Sequence, residues 1–292
     1  MLRTLYYALL PLLILLIAIA LACVVSYFIV LGFAEFVEFG KIVNKSTQIL
    51  LILSIFPTSY YLKINKAELG FAPLQIFLKQ LLVGFGLGFI TLMPVFIVLY
   101  LLGVHVLDDT QIWSTSFVFK NLVISLLLAL LISLIEEPLF RGLLLVSLHK
   151  KLSAMSAIVI SASYYAALHF INNNSHIGAQ DLNIYSGFTL VTEAFTKLLN
   201  PAIFSAFLAL LMVGIFLGVL RTQVKSSLGF CIGCHTCWVW QIKMNKKLFN
   251  TDFNSEYHYL VSSYDGVIGP LVTGWLLLAV ISYFIARHFK RT

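Results

Sequence analysis

The chain has 292 residues, of which 60% are hydrophobic and only 11% charged, and its mean hydropathy is +0.97. This composition excludes an ordinary soluble globular domain and leaves a protein embedded in a membrane. The formal net charge of +7 is what loops facing anionic lipid carry, and no aromatic-laced basic stripe points to a nucleic acid partner.

Apolar runs of roughly 17–25 residues cross a hydrocarbon core. In chain order, spans are expected near Leu5–Phe33, Ile49–Leu62, Ile76–Val104, Leu122–Leu148, Met155–Ile171, Ala202–Leu220, Leu228–Ile242 and Val267–Ala286. The first follows a single Arg3 and has some look of a signal peptide. Its apolar stretch runs past the small residues around Cys23, so a retained helix is expected rather than cleavage or lipidation there. Pro57 makes the second span the weakest. The fold class is therefore all-α, a polytopic transmembrane bundle of about eight spans, read as one membrane-embedded domain over residues 1–292 with no internal repeat. With cytoplasmic termini, Lys63, Lys66, Lys79, Lys150, Lys151, Arg221 and Lys225 fall inside with the tail residues Arg287, Lys290 and Arg291, whereas Lys41, Lys45, Lys120, Lys197, Lys243, Lys246 and Lys247 fall outside, a modest inside bias. The longest polar interruptions, Asn172–Lys197 and Lys243–Asp265, are either structured loops over one end of the bundle or solvated connections.

Glu136 and Glu137 stand apart from the other acids, because they lie inside the apolar run "LLLALLISLIEEPLFRGLLLVSL". A charge there costs a few kcal/mol on insertion scales and marks a functional position by default. Helical spacing sets Glu137 over Arg141, four residues on, and turns Glu136 about 100° away with no partner of its own. Pro138 frees the Leu134 carbonyl and bends the axis, opening room for water beside Glu136. The alternative is an ion-paired helix clamp and nothing more.

Of seven histidines, His105, His149, His176, His258 and His288 fall in loops or at helix ends, where solvated side chains are expected. His169 and His235 lie within apolar spans, and Tyr165 sits one helical turn before His169. Singly, either histidine reads as a hydrogen-bonded packing residue. With an unpaired intramembrane glutamate they suggest one polar site, since buried imidazoles and carboxylates need partners in a low dielectric. A carboxylate stripped of bulk solvent is a better general base for water near neutral pH. His169 would hold that water, and His235 would donate a hydrogen bond to a tetrahedral oxyanion.

The stretch "CIGCHTCWVW", Cys231–Trp240, contains CxxCH, the spacing of covalent c-type haem attachment. That chemistry needs an exposed segment and a second axial ligand, whereas this stretch opens inside an apolar helix. A thiolate metal site built from Cys231, Cys234 and Cys237 is the second reading. Small apolar cysteines packed around His235 are the favoured one.

Three motifs in order resemble the CAAX prenyl protease and bacteriocin-processing (Abi) family of intramembrane proteases over roughly residues 122–242, the expected catalytic core. "EEPLFRG" (136–142) resembles its EExxxR motif, and "YYAALH" (164–169) its aromatic-xxx-His motif, with Tyr165 where phenylalanine is usual. "HTCWV" (235–239) resembles its third motif, a histidine followed four residues later by Asn or Asp. "ELGFAPL" (68–74) resembles the amphipathic lead-in to its third span. The resemblance implies Glu136 as the water-activating carboxylate, His169 as its partner and His235 as the oxyanion donor, with Glu137 and Arg141 supporting the helix. Position 239 departs from the pattern, being Val, and neither Thr236 nor Gln241 has its helical phase.

The function expected is an intramembrane endopeptidase acting on a membrane-associated peptide or protein, in a bacterial inner membrane, with membrane lipid as its other partner. No cofactor is required in this scheme. Glu136, His169 and His235 would alternatively be three ligands of a zinc ion with water as the fourth, a metalloprotease-like arrangement, but no HExxH pairing is present. The rivals are a catalytically silent family member acting as a binding or immunity factor, which Val239 favours, and a haem-binding membrane protein.

Overall fold

In the computed structural model, the described residues are all but 1, 34–37, 112, 172–176, 178–181, 184, 225 and 291–292. His176, Lys225 and Arg291 lie outside them, as does all of "NNNS". The helices are α1 (Leu2–Phe33), α2 (Phe39–Leu53), α3 (Ile55–Tyr61), α4 (Lys66–Leu69), α5 (Leu74–Leu101), α6 (Thr115–Glu137), α7 (Leu145–His149), α8 (Ala154–Leu168), α9 (Ser186–Lys197), α10 (Phe204–Gln223), α11 (Leu228–Leu248) and α12 (Pro270–Phe289). Every expected apolar run lies mainly on helix, and the architecture is an all-α multi-pass bundle. Among the described residues six helical segments are long and apolar enough to cross a membrane: Leu5–Gly32, Phe39–Tyr61, Lys66–Leu101, Thr115–His149, Pro201–Gln223 and Pro270–Phe289. Pro57 does no harm to the second, since it falls in the first turn of α3, where its missing N–H has no helical acceptor to lose.

The two remaining runs are different in kind. α8 is apolar but only 15 residues long, and α11 carries His, Thr, Cys, Gln and Asn. Polar side chains are tolerated on a membrane helix that is walled off from lipid, and Leu228 to Trp238 of α11 are buried at all but one position. The wall is close. Gly84 and Gly88 of α5 face Gly229 and Gly233 of α11, and a methyl group added at Gly84 or Gly233 would overlap the Phe230 or Leu81 carbonyl of the other helix. Small residues at four-residue spacing let membrane helices meet backbone to backbone. Two indoles tie α11 to its neighbours, Trp238 Nε1 donating to Thr91 Oγ1 of α5 at 2.9 Å and Trp240 Nε1 to the Leu122 carbonyl of α6 at 3.2 Å.

Pro138 does more than bend α6. Residues Pro138–Leu144 form a π-helical turn that runs directly into α7. A widened turn relieves the clash of the proline ring with the carbonyl behind it, and π-turns concentrate at functional sites.

At one end of the bundle Glu68 binds Lys150 at 2.8 Å, and Arg221 donates to the Glu68 carbonyl at 2.7 Å. At the other, β1 (His105–Leu107) and β2 (Phe249–Thr251) pair antiparallel, with Val106 opposite Asn250. The second polar interruption is thus structured over this end, with Asp265 Oδ1 accepting from the Val267 and Ile268 amides. His105 corrects an expectation: it is buried rather than solvated, and its Nε2–H donates to the Gly266 carbonyl at 2.8 Å. Burial disfavours the imidazolium and holds its pKa below the ordinary histidine range. His149, His258 and His288 are exposed, as expected. Part of the first interruption forms α9, an amphipathic helix whose Gly187 lies against Cys23 of α1.

Candidate active site

The last turn of α6 presents adjacent glutamates in opposite situations. Glu137 is fully buried and receives Arg141 Nη1 at 3.0 Å, the pairing that four-residue spacing anticipates. Arg141 is itself buried, and its guanidinium lies 4.3 Å from the centre of the Tyr165 ring, close enough for a cation–π contact. Glu136 points elsewhere. Its side chain is 28% exposed and lines a cavity of about 470 Å³. Its Oε2 is itself buried and has no hydrogen-bond partner among the described residues, so that oxygen is not spent on a structural bond.

His235 spans both acids. Its Nδ1 lies 2.8 Å from Glu137 Oε1, and its Nε2 lies 3.9 Å from Glu136 Oε2. A carboxylate that also holds Arg141 acts as acceptor, so Nδ1–H donates to Glu137 and Nε2 faces the cavity. The α-helical rise of 1.5 Å per residue puts His235 about 10 Å in from the start of α11. Glu137 therefore does more than support its helix, for it orients an imidazole 98 residues away. The sequence signal for this was the second acid of the EE pair; the partner had none.

His169 closes α8. Its Nδ1 is 2.8 Å from the Tyr165 carbonyl; a carbonyl only accepts, so Nδ1–H donates and Nε2 is left as an acceptor. The Tyr165 ring meets His169 edge-on at 4.6 Å, Phe140 at 5.1 Å and His235 at 6.1 Å. Glu136, Tyr165, His169 and His235 all line the one cavity.

The cavity extends along one face of α11. His235, Val239, Ile242, Lys243 and Lys246 line it in turn, and Tyr264 and Asp265 sit at the end beside the β-ribbon. Val239 contributes methyl groups where an amide or carboxylate was expected. Thr236 and Gln241 do not line the cavity; Gln241 Nε2 is 3.3 Å from the Gly88 carbonyl instead. Thr91 of α5 also lines it, and sequence reasoning missed it because a single Thr in a long apolar helix carries no signal.

The three α11 cysteines are buried packing. Cys231 Sγ lies 3.6 Å from the Leu217 carbonyl, and Cys237 Sγ is 3.3 Å from Gln241 Nε2. Among the described residues no three His, Cys, Asp or Glu side chains are grouped to hold a metal ion. Glu136, His169 and His235 thus share a cavity without forming a ligand set.

Residues 117–241 match the family model described as Type II CAAX prenyl endopeptidase Rce1-like. No curated protein and no solved structure matches the chain. The matched segment contains Glu136, Glu137, Arg141, Tyr165, His169 and His235, every residue of the polar cluster. The match supports the resemblance of this segment to the CAAX prenyl protease and bacteriocin-processing family.

Proposed function

We propose that the chain is an intramembrane endopeptidase in which Glu136 activates water, His169 holds it and His235 stabilises the oxyanion. The observation that carries this reading is the opening of Glu136, His169 and His235 onto one cavity within the bundle. His169 Nε2 accepts a hydrogen bond from one O–H of the attacking water, and the Glu136 carboxylate takes the proton of the other O–H as the oxygen adds to the scissile carbonyl. His235, as the imidazolium, donates through Nε2 to the oxyanion, while Glu137 balances its charge through Nδ1–H. Glu136 then passes its proton to the departing amine, which restores the carboxylate. Glu137, Arg141 and Tyr165 are positioning residues in this scheme. The substrate is a peptide bond of a membrane-associated chain: a prenylated C-terminus, a leader peptide or a transmembrane segment.

The test is cleavage of membrane-anchored peptides from these three classes by the full chain in liposomes, with products identified by mass. One bond cut in one class is the expected outcome; intact peptides throughout would overturn the proposal.

The scheme needs no metal, because its one transferred proton moves from water to the Glu136 carboxylate and on to the leaving amine. Dialysis against a strong chelator should leave the rate unchanged, whereas a loss restored by zinc would transfer the role of Glu136 to a metal site.

A second reading, a silent member that binds rather than cuts, draws on Val239, which lines the cavity where a donor is expected. An oxyanion donor is worth about 100- to 1,000-fold in a well-formed site. Val239→Asn is therefore expected to raise the rate about tenfold or more, read as initial velocity. A variant no faster than an active wild type would show that position 239 plays no part in the oxyanion contact. If both are inert, the silent reading holds.

A further inference from the structure

A second hollow lies on the far side of the π-turn and takes no part in the chemistry above. It holds about 420 Å³ between α1, α3, the π-turn, α7 and α8. Its interior is hydrocarbon, with Leu10, Ile14, Leu51 and Leu143 among its walls. Its rim is cationic: Lys63, Lys150 and Lys151 all line it, and all three are exposed. Lys150 is engaged by Glu68 at 2.8 Å, whereas among the described residues no ion pair holds Lys63 or Lys151.

Lys63 is out of place for a merely solvated lysine. It ends α3 in a Schellman arrangement, its N–H donating to the Tyr60 carbonyl at 3.1 Å and the Ile64 N–H to the Ser59 carbonyl at 2.8 Å. The backbone there takes φ of +50°, the left-handed conformation at which helices ordinarily place glycine. A side chain kept against that preference directs attention to what it does. Here it supplies positive charge at the mouth of an apolar hollow.

An apolar cleft with a cationic lip matches a molecule with two hydrocarbon tails and an anionic head. We propose that this groove is a binding site for an anionic phospholipid, with its acyl chains along α1 and the π-turn and its phosphodiester between Lys63 and Lys151. Hydrocarbon chains enter any such groove in a bilayer, so the content of the proposal is selection of the headgroup. The lipid would also lie against Phe140, which lines this groove and whose ring stands 5.1 Å from Tyr165 of the catalytic cluster. It would thereby brace the turn that carries Arg141.

The test is native mass spectrometry of the full chain released from micelles containing equal amounts of phosphatidylglycerol and phosphatidylcholine of the same acyl composition. Two lysines facing an anionic head should give phosphatidylglycerol a preference of about fivefold to thirtyfold. Lys63→Gly with Lys151→Gln should bring the ratio close to one. Lys63→Gly relaxes the helix cap, so the variant keeps its fold, and an unchanged thermal midpoint would show this. Lys41→Gln with Lys45→Gln, which removes the same charge at residues that do not line the groove, should leave the preference intact. Three results would overturn the assignment: no preference in the wild type, a preference that survives Lys63→Gly/Lys151→Gln, or an equal loss in the Lys41/Lys45 control. One-for-one displacement of phosphatidylglycerol by a farnesylated peptide would instead give the groove to a substrate tail.

Discussion

Glu136→Gln is expected to slow hydrolysis by about 100- to 10,000-fold, the range for loss of a general base, while leaving the protein as stable as the wild type. The amide is nearly isosteric and keeps the shape of the cavity wall, but it takes up no proton from water. The stability half follows from the same geometry. Glu136 Oε2 makes no hydrogen bond among the described residues, and the nearest imidazole nitrogen is 3.9 Å away, so no structural bond is lost. Rate in liposomes and thermal midpoint in the same membrane form the paired measurement. A Gln variant that cuts at the wild-type rate would remove Glu136 from the chemistry, and one that fails to fold would make it a structural residue.

Arg141 should show the opposite balance. Arg141→Met takes the guanidinium from the fully buried Glu137 carboxylate and leaves it only the hydrogen bond from His235, and breaking a buried pair in this one-sided way costs about 3–5 kcal/mol. The stack of the guanidinium on Tyr165 at 4.3 Å goes with it. Arg141→Lys restores a charge without a planar group, so its stability should fall between methionine and wild type. Glu137→Leu combined with Arg141→Met removes both charges and should be more stable than either single variant, as a coupled pair requires. It should remain inactive, because His235 loses the acceptor that fixes its Nδ1–H. Denaturant midpoints and turnover of the four proteins separate the two effects. Additive single-variant losses would mean that the pair is not coupled, and activity in the double variant would mean that Glu137 does not position His235.

The parts of this arrangement that depend on neighbours within one helix were legible in the sequence. The 60% apolar content and the run lengths announced the bundle, and four-residue spacing paired Glu137 with Arg141 and separated Glu136 from both. Contacts between distant segments were not legible. The bond from Glu137 to His235 joins α6 to α11 across 98 residues, and no local period encodes it. His105 stands in a polar stretch, and only the fold of residues 249–269 buries it. The π-turn was half visible, since Pro138 announced a disturbance without its form. α11 was the hardest case: its polar content argues against a membrane helix until the surrounding helices are in place.

The glycine seam between α5 and α11 bears on how this site sits in bilayers of different thickness. Helices in direct main-chain contact have no compressible layer between them, so the pair acts as a strut that neither shortens nor slides. Mismatch between protein and lipid is then absorbed by tilting of the perimeter helices, at a fraction of a kcal/mol per ångström. The imidazole of His235, fixed to the strut, keeps its depth.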